Sequence, residues 1–154
     1  MRFDTVADTQ AFGARLADIL RAGDLLILIG PLGAGKTALA QGIGAGLQVQ
    51  GRIASPTFVI ARVHPGGRVP LVHVDAYRLG SLAEVDDLDL DVSIADSVTV
   101  IEWGAGRGEQ LAESRLEIVL DRPDDSETRT VQLRPVGGDW ADRIAGLGPA
   151  PTAG

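Results

Sequence analysis

At 154 residues the chain is long enough for one domain with a proper core and too short for two. It has no cysteine, which excludes disulfides, thiolate zinc sites and cysteine nucleophiles, and its two histidines cannot build a histidine metal cluster. A net charge of −7 without a basic stripe argues against gripping nucleic acid unaided, no apolar run approaches a membrane span, and Met1 to Leu20, carrying Asp4, Asp8 and Asp18, lacks the layout of a secretory signal, so a cytoplasmic protein without membrane contact is expected.

In chain order, Phe3 to Thr5 reads as a short first strand, and Asp8 as the cap of a helix with Phe12, Leu16, Ile19 and Leu20 at helical spacing, ended by Gly23. Leu25 to Ile29 is a continuous apolar run bounded by Asp24 and Gly30, the pattern of a strand buried on both faces of a parallel sheet. Lys36 to Leu47 follows as a helix, in which Gly42, Gly44 and Gly46 point to close packing or an early end. Val59 to Val63 pairs with Val69 to Val74 across the turn His64 to Arg68 as an antiparallel hairpin. From Ser81 to Asp96 the chain is acidic, either a solvated helical face or a docking surface for a basic partner. Val98 to Ile101 is a second buried strand, ending at Glu102 and Trp103. Arg115 to Leu120 and Thr128 to Leu133 close the sheet around the turn Pro123 to Ser126, and Asp139 to Ala145 forms a short helix. The expected architecture is α/β, a P-loop three-layer sandwich with a mostly parallel central sheet and an antiparallel hairpin. It would span residues 1–145 as one domain, with 146–154 as a disordered tail.

Chemistry concentrates at residues 30–37, Gly-Pro-Leu-Gly-Ala-Gly-Lys-Thr, set between the apolar strand and the helix. Such a loop points backbone N–H groups inward to hold phosphate oxygens, and the following helix adds the positive end of its dipole. The cradle is expected from Gly30, Leu32, Gly33, Ala34, Gly35, Lys36, Thr37 and Ala38, with Lys36 reaching the phosphates and the Thr37 hydroxyl placed for Mg²⁺. Of the 14 basic residues only Lys36 is a lysine. The chain uses arginine wherever either cation serves, and a planar guanidinium is too wide for a slot between phosphates. A magnesium nucleotide also needs a carboxylate at the end of a neighbouring strand, and two follow apolar strands. Glu102 is assigned to the metal, and Asp75 to supporting it or to positioning the attacking water.

Three further segments follow the P-loop in order: Ser55-Pro56-Thr57-Phe58, His73-Val74-Asp75-Ala76-Tyr77-Arg78 and Ile101-Glu102-Trp103. With them the chain resembles, over about residues 1–145, the bacterial TsaE family, the P-loop ATPase of tRNA threonylcarbamoyladenosine (t6A) synthesis. The resemblance implies hydrolysis of ATP with Mg²⁺ in support of threonylcarbamoyl transfer to adenosine 37 of tRNA. It also implies action on TsaB and TsaD subunits, with tRNA reached only through that complex. It makes Lys36 the phosphate lysine, Thr37 and Glu102 the magnesium ligands, Asp75 an acid needed for hydrolysis, Thr57 a switch residue near the γ-phosphate and Trp103 a neighbour of the nucleotide. Tyr77 and Arg78 either support the site or contact a partner. The base would lie near the first strand and helix and the last strands, where Thr5 and Arg129 stand. Pro31 replaces the acidic residue usual in the family loop, and Gly104-Ala105 replaces the polar residues usual after the tryptophan.

Two other readings compete. A small-molecule kinase of shikimate-kinase type shares the Gly-Ala-Gly-Lys-Thr loop but needs an arginine-bearing lid, for which Arg107 to Arg115 is short. A nucleotide-gated binding module would bind ATP without turning it over. A GTPase is excluded, because the guanine-reading Asn-Lys-x-Asp motif requires a second lysine.

Overall fold

The computed structural model describes residues 2–31, 34–49, 61–75, 94–103, 114–122 and 128–147, with Ala61, Arg62, Asp75, Ile94 and Trp103 described by their backbone only. Among these residues run β1 (Arg2–Phe3), α1 (Val6–Ala17), β2 (Leu25–Ile29), α2 (Lys36–Leu47), β3 (Ala61–His64), β4 (Leu71–Asp75), a single 3₁₀ turn (Ile94–Asp96), β5 (Val98–Trp103), β6 (Arg115–Asp121), β7 (Arg129–Val136) and α3 (Trp140–Ala145). The strands form one sheet of 7 in the order β1-β7-β6-β2-β5-β4-β3. Its centre, β6-β2-β5-β4, is parallel, and antiparallel pairs flank it on both sides: β3 on β4, β7 on β6 and β1 on β7. The expected α/β class holds, and the two closing strands add a second antiparallel pair to the hairpin at the other edge.

Strand β2 is apolar throughout because it is central and covered on both faces. Leu26 and Leu28 join the core that Leu16, Leu39 and Ile43 build beneath α1 and α2, while Ile27, Val72, Val74 and Ile101 are buried on the opposite face. Each such aliphatic side chain contributes about 1.5–3 kcal/mol when fully removed from water. The two helices approach unusually closely because glycine faces glycine. A Cβ on Gly13 would stand 2.6 Å from the Leu39 carbonyl oxygen, and one on Gly42 would enter the Gln10 backbone. Close packing, and not an early end, explains Gly42 and Gly46 of α2, which runs its full expected length.

Thr5, not Asp8, caps α1. Its backbone is extended at φ −135°, ψ 162°, and its hydroxyl accepts the Asp8 N–H at 3.1 Å, which places Asp8 inside the first turn beside the positive helix end. The helix stops at Ala17, well before Gly23, where the backbone tightens into i→i+3 bonds such as Leu20 N–H to Ala17 O at 3.2 Å, and Arg68 donates to Ala17 O at 2.5 Å and to Leu20 O, just beyond the helix, at 2.9 Å. The backbone N–H of Arg68 also donates to Leu47 O at 2.9 Å, so the β3–β4 turn closes the ends of both helices. Gly23, at φ +91°, instead serves the turn into β2.

Helix α3 docks through Trp140, which is buried in the core, and through Arg143, which lies 4.0 Å over the Trp140 ring and donates to Asp24 and to the Ile19 carbonyl. A 2.7 Å hydrogen bond from Arg21 holds the Asp139 carboxyl below the usual carboxylate range. Leu147, placed in the tail by the sequence reading, packs against the core and its carbonyl accepts from Arg15. Most of the acidic stretch, the turn Pro123 to Ser126 and residues 148–154 lie outside the described residues. Among the described residues no helix is long and apolar enough to cross a membrane.

Candidate nucleotide site

The P-loop leaves the central strand and enters a helix, and its glycines have separate physical reasons. At Gly30 a Cβ would collide with the carbonyl oxygen of Leu120 on β6, so the loop can pass that strand only without a side chain. Gly35 caps α2 in the left-handed region at φ 104°, ψ 13°, which L-residues adopt only with strain. No side chain caps that helix end and its first turn carries no acid, so its N–H groups and dipole face the loop. Between the two glycines the Ala34 N–H donates to the Pro31 carbonyl at 3.1 Å, closing a turn. The proline therefore supplies the acceptor of this turn, a role that its missing N–H does not impair.

Lys36 is 9 % exposed, and its ammonium donates to the Gly30 carbonyl at 2.5 Å, so it lies back across the loop that it is expected to serve. Thr37 is half-buried in the same first turn of α2, next to Ala38. Leu32, Gly33, Thr57, Tyr77 and Arg78 lie outside the described residues.

Parallel pairing brings both carboxylate positions to this end of the sheet. Leu28 on β2 is level with Glu102 on β5, and Glu102 is level with Asp75 on β4. With neighbouring strands ~4.8 Å apart, the three form one row at the C-terminal edge, two residues before the P-loop begins. Both acids belong to their strands, β4 ending at Asp75 and β5 continuing through Glu102 to Trp103, where the sequence reading stopped the strand at Ile101. Trp103 is level with Ile29, the residue before Gly30. Ligands of open α/β sheets bind at this carboxyl edge.

Thr5 and Arg129 are also drawn to this end. Phe3 pairs with Arg129 across the antiparallel β1–β7 contact, so the exit of β1 and the entry of β7 coincide. The Arg129 side chain stands beside the loop, its Nε 3.7 Å from where a Gly35 Cβ would sit. Thr5 uses its hydroxyl oxygen in the α1 cap.

The motif His73 to Arg78 contains one further participant. His73 is fully buried on β4, and its Nε2 lies 2.5 Å from Oε2 of Glu102, itself 8 % exposed. The signal was the alternation His-Val-Asp, which puts residues 73 and 75 on one face of a strand. A partner two strand positions along on the next strand could be found only once the register was known.

A glycine-bearing loop between the central strand and a helix, a buried lysine across it, a hydroxyl in the first helical turn and a carboxylate at the neighbouring strand end define a P-loop nucleotide-binding protein. The donors around the expected metal position are hydroxyl and carboxylate oxygens, which fit a hard cation such as Mg²⁺. Residues 3–131 match the family model described as threonylcarbamoyl adenosine biosynthesis protein TsaE. The chain is 58 % identical over 138 residues to the tRNA threonylcarbamoyladenosine biosynthesis protein TsaE of Streptomyces coelicolor, covering 86 % of this chain and 93 % of that one. The protein of the same name from Bacillus subtilis is 38 % identical over 134 residues, 86 % of this chain and 83 % of the other. A crystal structure of Bacillus subtilis YdiB superposes with a TM-score of 0.79 at 30 % identity, over 96 % of this chain and 91 % of that one. The chain belongs to the TsaE family of threonylcarbamoyl adenosine biosynthesis proteins.

Proposed function

We propose that this protein is a cytoplasmic, Mg²⁺-dependent ATPase that acts on a TsaB–TsaD complex and so supports threonylcarbamoyl transfer to adenosine 37 of tRNAs. The observation that carries the reading is the level row of Leu28, Glu102 and Asp75 beside the P-loop, which sets two carboxylate positions at the loop's mouth. Backbone N–H groups of residues 33–38 and the Lys36 ammonium bind the phosphates, while the Thr37 hydroxyl and the Glu102 carboxylate hold the cation. A Mg²⁺ ion held by Thr37 and Glu102 would supply positive charge that offsets the charge developing on the phosphates during transfer. Asp75 orients the attacking water, and Lys36 stabilises the phosphate oxygens as the bond to the leaving β-phosphate breaks, giving ADP and inorganic phosphate. Thr57 senses the γ-phosphate, and Trp103, Thr5 and Arg129 surround the nucleoside.

The net charge of −7 suits a protein that reaches tRNA through its partners. The test is phosphate release from ATP by this protein alone and with TsaB and TsaD. Turnover that needs Mg²⁺, rises with both subunits and disappears in Lys36→Ala supports the reading. Tight ATP binding without phosphate release, even with both partners, would reduce the protein to a nucleotide-gated module, and phosphate appearing on a small acceptor would make it a kinase.

A further inference from the structure

Outside the P-loop, the described residues hold one buried pair of titratable side chains on the α2 face of the sheet at its carboxyl edge, His73 and Glu102. His73 is level with Val100, so Glu102 sits one step further along the same face of β5, within diagonal reach. The Nε2···Oε2 distance is 2.5 Å. A carboxylate only accepts, so Nε2 carries a proton and donates, which leaves Nδ1 to find its own partner. That Nδ1 is buried without a hydrogen-bond partner. Among the described residues Oε1 of Glu102 has no hydrogen bond, and the side chain keeps a small exposed fraction.

For stability alone this is a poor arrangement. Aliphatic residues at both 73 and 102 would continue the apolar row of Leu71 and Val100 without orphaning a ring nitrogen or burying a carboxylate. What histidine supplies, and an aliphatic residue cannot, is a rigid N–H aimed at one oxygen of the Glu102 carboxylate. We infer that His73 is a positioning residue: by donating Nε2–H to Oε2 it fixes the Glu102 carboxylate so that Oε1 is presented to the cation at the mouth of the P-loop. Because His73 lies two residues before Asp75 on β4, the same bond holds the ends of β4 and β5 together and so keeps the two acidic positions in step. The inference rests on the assignment of Glu102 to Mg²⁺ made above.

The test compares His73→Leu, His73→Gln and His73→Asn with Glu102→Gln in the full chain. Affinity for a fluorescent ATP analogue is measured in EDTA and in excess Mg²⁺, and Mn²⁺ binding to the protein–ATP complex is titrated by electron paramagnetic resonance. Groups that orient a metal ligand typically carry about 10–100-fold in metal affinity. His73→Leu should therefore leave the EDTA affinity within about twofold and weaken Mn²⁺ binding about tenfold or more. Glutamine, whose terminal amide N–H reaches the position of Nε2, should recover most of that loss, and the shorter asparagine should not. If the leucine variant does not fold, the order of glutamine over asparagine carries the test. Unchanged Mn²⁺ affinity in His73→Leu, or equal values for Gln and Asn, would overturn the inference while Glu102→Gln still loses the metal. If Glu102→Gln keeps full Mn²⁺ affinity, the metal assignment itself fails.

Discussion

Replacing Gly35 with alanine tests the cradle most directly. The backbone there is at φ 104°, ψ 13°, a conformation that costs an L-residue about 1–3 kcal/mol. Sterics add almost nothing, because the nearest atoms to an added Cβ are Arg129 Nε and Leu120 Cδ2, both at 3.7 Å, an ordinary contact distance. The cost is therefore torsional, and it can emerge in two ways. If the loop keeps its shape, the folded state carries the strain, and at about 2–4 °C per kcal/mol for a domain of this size the midpoint of thermal unfolding falls by about 2–12 °C. If the loop relaxes, stability is kept but the N–H groups leave their positions, and ATP affinity falls by about 5–150-fold for the same energy. Differential scanning fluorimetry and titration of a fluorescent ATP analogue, run on the same preparation, capture both. Gly35→Asn, which tolerates left-handed backbone better, should lose less on either scale. An alanine variant with unchanged melting and an affinity within twofold of the parent would show that residue 35 does not cap α2 in this conformation.

Four further outcomes are expected. Lys36→Arg should be as inactive in phosphate release as Lys36→Ala, because the guanidinium cannot follow the ammonium between phosphates, and full activity in the arginine variant would undo the reading of the solitary lysine. Glu102→Ala should abolish hydrolysis with the fold retained, although it strands the buried His73 at a cost of about 1–3 kcal/mol, visible as a lower melting temperature with unchanged circular dichroism. Arg68→Ala removes charge-assisted bonds to the Ala17 and Leu20 carbonyls and should cost about 1.5–3 kcal/mol in urea unfolding without altering ATP affinity. Gly42→Ala sets a helix-propensity gain of about 1 kcal/mol against a Cβ driven into the Gln10 backbone. The overpacking, typically about 1–3 kcal/mol, should win, and a more stable variant would show that α1 and α2 can separate cheaply.

Local order carried the legible part. The run Leu25 to Ile29, the P-loop and the helix beginning at Lys36 are contiguous, and hydrophobic period, glycine placement and one lysine suffice to read them as strand, cradle and helix. Asp75 and Glu102 were legible for the same reason, since each follows an apolar run, and the family motif added Trp103. Tertiary contacts decided the rest. Thr5 rather than Asp8 caps α1, and Arg68, which lies 51 residues beyond Ala17, donates to the last carbonyl of that helix. Gly42 and Gly46 of α2 are neutral as a pattern and become necessary only against Gln10, Ala14 and Ala17 on α1. Above all, no spacing in the chain tells which carboxylate stands beside the P-loop. The parallel register that levels Leu28 with Glu102 and Asp75, and brings His73 against Glu102, is a relation between strands distant in sequence, and only packing the sheet beneath α1 and α2 selects it.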